Sequence, residues 1–169
     1  MTEEEYIEMI RLKTSVLLAC AVKMGAILAG ADEEDASNLY NFGEKLGLAF
    51  QLQDDLLDVY GDPKVFGKAI GGDITSNKKT YMLINAMLRA DEKQAAELKK
   101  WISAEHFDKA EKIKAVTEIY NNIGIRELCE KKINDYFEQA RLSLQKVNLP
   151  DEKKTQLQHF TDLMMKREK

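Results

Sequence analysis

The stretch FQLQDDLLDVYGDP, residues 50–63, decides how this chain is read. It sets Asp54, Asp55 and Asp58 among some of the most apolar residues present. On a helix advancing about 100° per residue, with Asp54 at zero, Asp58 falls at about 40°, Gln51 at about 60° and Asp55 at about 100°. Leu46, Leu48, Phe50, Leu52, Leu56 and Leu57 fill the remaining arc, and Gln53 is the exception that falls among them. A surface helix has the wider polar face. Here the polar face is the narrow one, so the acidic stripe is expected to line an internal cleft. Carboxylates so close repel one another, and more strongly as water is excluded. A cation is therefore expected between them. Hard divalent ions take carboxylate oxygens, and magnesium typically uses one or two carboxylates plus substrate phosphates.

The helix stops at Gly61-Asp62-Pro63. Residues 61–75, GDPKVFGKAIGGDIT, hold four glycines and one proline and form the one long irregular segment expected. Val65, Phe66 and Ile70 point to a loop packed onto the body. Lys68, Lys78 and Lys79 supply positive charge just after the acidic stripe, and Gly67, Gly71 and Gly72 let backbone approach a ligand closely. Lysines act on phosphates as point charges.

Upstream, Thr2 and Glu5 have capping-box spacing, predicting a first helix from Glu3 to about residue 29 with Gly30 as its stop. The run 15–31, SVLLACAVKMGAILAGA, is interrupted by Lys23 and reads as a helix buried nearly all round in a helical core rather than a membrane span. Asp32 caps a second helix that reaches residue 60. Further helices are predicted over 77–90, starting at Thr75 or Ser76, then 92–104, 107–122, 125–147 and 151–166. Ile125, Leu128, Ile133, Tyr136, Phe137, Ala140 and Leu144 mark the buried face of the long one.

Only 2 prolines and 9 glycines in 169 residues, with abundant Ala, Leu, Glu and Lys, favour helix throughout. The expected organisation is one all-α domain over 1–169. A net charge of −4 argues against nucleic acid as the main partner. Cys20 and Cys129 have neither metal nor disulfide spacing and read as buried free thiols, which fits a reducing cytoplasm. His106 and His159 read as surface residues, and Trp101 as a packing anchor.

The residues from Phe50 to Thr80 closely resemble the second aspartate-rich region of trans-polyprenyl diphosphate synthases. The matching elements are Phe50-Gln51, Asp54-Asp55-Leu56-Leu57-Asp58, Gly61-Asp62, Gly67-Lys68, Gly71-Gly72-Asp73-Ile74 and Lys78-Lys79-Thr80. Lys13-Thr14 resembles the family's upstream Lys-Thr pair. The resemblance implies an antiparallel α-helical bundle of the isoprenoid synthase type, with this chain as its C-terminal half. It implies that Asp54, Asp55 and Asp58 hold Mg2+, directly or through water, and that Lys68 and Lys78 bind an allylic diphosphate. Lys13, Thr14 and Gln51 would line the cavity near the allylic cation formed when the diphosphate leaves. Isopentenyl diphosphate would attack that cation, and loss of a proton would restore the alkene.

The sequence departs from the family pattern in lacking the first aspartate-rich motif and the Gly-Lys-Arg segment before it. The chain alone is therefore expected to have little or no prenyl transfer activity. An apolar surface is expected on the first helix where the other half would pack, and with it homo-oligomer formation. The alternatives are a non-catalytic partner of a full-length synthase, a terpene cyclase of the same fold and a plain helical interaction module. Intact aspartates and lysines weigh against the second-subunit reading, and a cyclase would usually carry Asn and Ser or Thr in its second metal motif.

Overall fold

The computed structural model describes residues 1–62 and 69–166, and these are helical with no strand among them. The predicted first helix is one helical run in three parts. These are α1 (Glu3–Ile10), a π-helical turn (Arg11–Ser15) and α2 (Val16–Leu28). Its start is the predicted capping box: the Thr2 backbone N–H donates to Glu5 Oε2 at 2.8 Å, and the Glu5 N–H donates to Thr2 Oγ1 at 3.2 Å. Gly30 ends the run in the left-handed region, with φ 85°. The long helix α3 (Glu33–Tyr60) opens on Asp32, whose Oδ1 accepts the Asp35 N–H at 2.8 Å.

After the loop come a short α4 (Gly72–Thr75), α5 (Tyr81–Arg89), α6 (Glu92–Ser103), α7 (Lys109–Ile123), α8 (Ile125–Gln145) and α9 (Asp151–Met165). The turn α4 was not foreseen, and α5 begins four residues later than the predicted 77. The cap is Thr80, whose Oγ1 accepts the Leu83 N–H at 3.2 Å. Thr75 and Ser76 instead bond back to the carbonyl of Gly72, closing α4. Competing caps of equal chemistry a few residues apart are separated by which backbone turn the loop can close. Asp91 caps α6, and Asp108 caps α7, which begins at Lys109 rather than at the predicted 107. None of the helices among the described residues is long and apolar enough to cross a membrane.

The chain divides into two compact units. The first comprises Met1–Tyr6 and Leu52–Lys131. In it α7 packs against α4, α5 and α6, around buried Leu98, Val116, Ile119 and Tyr120. The second comprises Ile7–Gln51 and Lys132–Lys169. There Gly43 and Gly47, one turn apart on α3, sit against Ala19 and Ser15. A Cβ on Gly47 would stand 2.7 Å from the Ser15 Cα, and one on Gly43 2.9 Å from the Ala19 Cα. Only glycine lets the two backbones approach so closely.

That close approach overturns the reading of 15–31 as buried all round. Ala19 and Ala26 are buried, but Leu17 is 78% and Leu28 88% exposed, with Met24 and Ile27 also exposed. Cys20 is exposed as well, against expectation, whereas Cys129 is buried. An apolar run says that burial is favourable but not where the neighbours are. The small residues, not the large ones, take the contact. On α8 the expected face holds: Ile125, Ile133, Phe137, Ala140 and Leu144 are buried, with Leu128 and Tyr136 partly so. His106 and His159 are exposed, and half-buried Trp101 donates its indole N–H to Glu97 at 3.0 Å.

Candidate active site

The acidic stripe lies on α3, and its members differ in burial. Asp54 and Asp58 are half-buried, while Asp55 is 1% exposed. Its place at the edge of the stripe turns Asp55 toward α1. There the hydroxyl of Tyr6, itself fully buried, donates to Asp55 Oδ2. The other oxygen, Oδ1, accepts from Lys78 Nζ at 3.0 Å, and Lys78 also donates to Asp73 Oδ2 at 2.8 Å. Within the stripe, Asp55 is thus turned toward the protein interior, while Asp54 and Asp58 are half-buried. Gln53, the apparent exception, is fully buried.

Asp58 organises the end of the loop. Its Oδ2 accepts the Asp73 N–H at 2.8 Å, and its backbone carbonyl accepts the Gly71 N–H. Gly71 takes φ 82°, and a Cβ on Gly72 would lie 3.2 Å from Asp58 Oδ1. The two glycines therefore let α4 close onto α3, which brings Asp73 and Lys78 to the aspartates.

The electrostatics follow from burial. Loss of water raises the Asp55 carboxyl above its usual range, although the Tyr6 hydroxyl and Lys78 both pull it down. Burial likewise raises Asp58, opposed by the Asp73 N–H. For Lys78, burial acts to lower the ammonium, but its hydrogen bond to Asp73 and the charge of Asp55 outweigh this, and the net shift is upward. Lys78 is thus held as a cation among three acidic side chains.

In the second unit, Thr14 lies in the π-helical turn and donates its hydroxyl to Gln51 Oε1 on α3 at 3.2 Å. The Gly47–Ser15 approach one turn away sets this spacing. Lys13 beside it is exposed. Lys68, Val65 and Phe66 lie outside the described residues.

Among the described residues, no three acidic, His or Cys side chains converge as a cage for a metal ion. Magnesium typically takes one or two carboxylates and fills its shell with substrate phosphates and water. The hard oxygens of half-buried Asp54 and Asp58 are donors of the right kind.

Sequence reasoning overlooked Tyr6 and Asp73 as members of this site. Asp73 carried a signal, since it stands in the quoted Gly71-Gly72-Asp73-Ile74 segment. Tyr6 carried none, because its partner is 49 residues away.

The chain belongs to the polyprenyl synthetase family, whose profile matches residues 1–120. It is 35% identical over 168 residues to a short chain isoprenyl diphosphate synthase of Methanothermobacter thermautotrophicus, covering 99% of this chain and 50% of that protein. Among solved structures it is similar to a geranylgeranyl pyrophosphate synthase, with TM-score 0.91 and 39% identity over 100% of this chain and 53% of the other. A second is the geranylgeranyl pyrophosphate synthase of Corynebacterium glutamicum complexed with isoprenyl diphosphate and magnesium, with TM-score 0.86 and 31% identity over 98% of this chain and 47% of that one. The all-α bundle is therefore of the isoprenoid synthase type. The chain spans about half the length of the relatives it matches.

Proposed function

We propose that this chain forms one metal- and diphosphate-binding wall of a prenyltransferase that joins an allylic diphosphate to isopentenyl diphosphate. The carrying observation is the ammonium of Lys78, held within hydrogen-bond distance of Asp55 and Asp73 where α4 closes onto the acidic stripe. Asp54 and Asp58 are the side chains suited to hold Mg2+, with Asp55 behind them. Bound there, the ion would neutralise charge on the diphosphate and so ease its departure. Lys78, and Lys68 by sequence, would take diphosphate oxygens as point charges. The Thr14 and Gln51 oxygens would stabilise positive charge developing on the allylic carbon, with Lys13 beside them. The magnesium and isoprenyl diphosphate named for the Corynebacterium glutamicum protein support this reading. So does the fold shared with geranylgeranyl pyrophosphate synthases.

The chain is expected to be inactive alone, to act as a homo-oligomer and to reside in the cytoplasm. Titration calorimetry of the 169-residue chain with inorganic pyrophosphate and Mg2+ tests the wall itself. Binding that needs both, and that weakens about tenfold or more in Asp54→Ala, is expected from loss of a direct ligand. No pyrophosphate binding by the intact chain at any Mg2+ concentration would overturn the reading.

A further inference from the structure

Asp55 is the most deeply buried of the three motif aspartates, yet it remains well partnered. A carboxylate removed from water persists only when donors replace the solvent. Asp55 has one donor on each oxygen, both from this chain: the Tyr6 hydroxyl on Oδ2 and the Lys78 ammonium on Oδ1 at 3.0 Å. Tyr6 is fully buried and Asp55 is 1% exposed, so neither can touch a diphosphate. Lys78 is 40% exposed. An ammonium has three donors. Asp55 and Asp73 take two of them, which leaves a third donor on a side chain that solvent reaches.

We infer that Tyr6 and Asp55 are positioning residues that hold the Lys78 ammonium in place, and that Asp55 is a support for this lysine rather than a ligand of the metal. The phenol supplies a fixed donor from α1, so the carboxylate cannot rotate away. The carboxylate then anchors one N–H of a flexible four-carbon side chain. Asp73 anchors a second, and the remaining N–H is the donor that would take an anion. A tyrosine suits this place because its hydroxyl is carried on a ring that packs in the apolar interior. The role assigned to the free N–H rests on the diphosphate reading of Lys78; the anchoring of the ammonium does not.

Two measurements on the 169-residue chain separate the two ideas. The first is nuclear magnetic resonance of lysine ammonium groups, with the Lys78 signal assigned by its loss in Lys78→Arg. A through-hydrogen-bond coupling from Lys78 Nζ to Asp55 Cγ is expected in the unsubstituted chain. Tyr6→Phe is expected to shift and broaden the Lys78 signal, and Tyr40→Phe, at a half-buried residue of α3 in the second unit, to leave it unchanged. Absence of the coupling overturns the inference even if Tyr6→Phe fails to fold, and so does a Lys78 signal that is unchanged in a folded Tyr6→Phe chain.

The second is Mg2+-dependent pyrophosphate affinity. Tyr6→Phe is expected to weaken it about tenfold, and Tyr6→Phe with Lys78→Ala to be no weaker than Lys78→Ala alone, as for coupled residues. Additive losses would overturn the inference. If pyrophosphate does not bind the intact chain, the proposed function falls, and the lysine spectra still decide the positioning.

Discussion

Replacing Gly47 with alanine adds one methyl group at the closest backbone crossing of the second unit. That Cβ would meet the Ser15 Cα at 2.7 Å and its Cβ and Oγ at 2.9 Å. Carbon pairs are most stable at about 3.5–4.0 Å, so α3 must withdraw by roughly 1 Å from the π-helical turn. The obstacle includes backbone, which has no rotamer to swing aside. Overpacking of this kind costs about 1–3 kcal/mol, and with backbone in the way the upper end applies. Alanine returns about 1 kcal/mol through its better helix propensity. The net expectation is a loss of about 2 kcal/mol, or roughly 4–8 °C in Tm for a chain of this size.

Gly25→Ala is the matched control. It lies within α2 with nothing inside 4 Å of its Cβ position, so the same chemical change is expected to stabilise by up to about 1 kcal/mol. Urea unfolding followed by circular dichroism measures both variants. The crossing also spaces Thr14 against Gln51, so Gly47→Ala should loosen that hydrogen bond. A Gly47→Ala chain as stable as the unsubstituted one would refute the packing argument, and two variants shifting in the same direction would do so as well.

Asn77 has φ 54°, accepts from Lys112 Nζ at 2.6 Å and donates to the Ile102 carbonyl at 3.0 Å. Asn77→Ala is expected to cost about 3 kcal/mol, from the left-handed backbone and two lost hydrogen bonds, and Asn77→Gly less. Equal losses in urea unfolding would show that backbone conformation contributes nothing. Burial raises the phenols of Tyr6, Tyr60 and Tyr120 in the fold, Tyr60 to about 12. The unfolded chain ionises them near pH 10 while the fold keeps them neutral, so stability is full below pH 10 and falls above it. The slope is about 1.4 kcal/mol per pH unit for each phenol still neutral in the fold. Unfolding free energies that stay level from pH 9 to 11 would contradict this. Leu17 and Leu28 are 78% and 88% exposed on α2. Leu17→Lys with Leu28→Lys is expected to reduce self-association in light scattering, and an unchanged mass would assign the oligomer contact elsewhere.

Much of the fold is local and therefore legible in the amino-acid order. Thr2 with Glu5, Asp32 and Asp91 cap their own helices, because a cap and its amide are three residues apart. The polar grouping of Gln51, Asp54, Asp55 and Asp58 follows from helix period alone. So does the buried face of α8, and the thirty-odd residues from Phe50 to Thr80 point to the family in linear register.

What periodicity does not contain is the neighbour. It placed Asp55 with Asp54 and Asp58, yet the fold turns Asp55 inward to Tyr6, 49 residues away, while the other two are only half-buried. It treated the large apolar residues of 15–31 as core, yet Ala19 takes the contact with Gly43, and Leu17 and Leu28 stay exposed. It offered Thr75 or Ser76 as the start of the next helix, yet both bond back to the Gly72 carbonyl in α4, and Thr80 is the cap of α5. Helix formation and capping depend on residues within one turn, so the sequence determines them directly. Which face is buried, and which carboxylate becomes a support rather than a candidate ligand, depends on backbones brought together across the chain, and only the tertiary structure decides that.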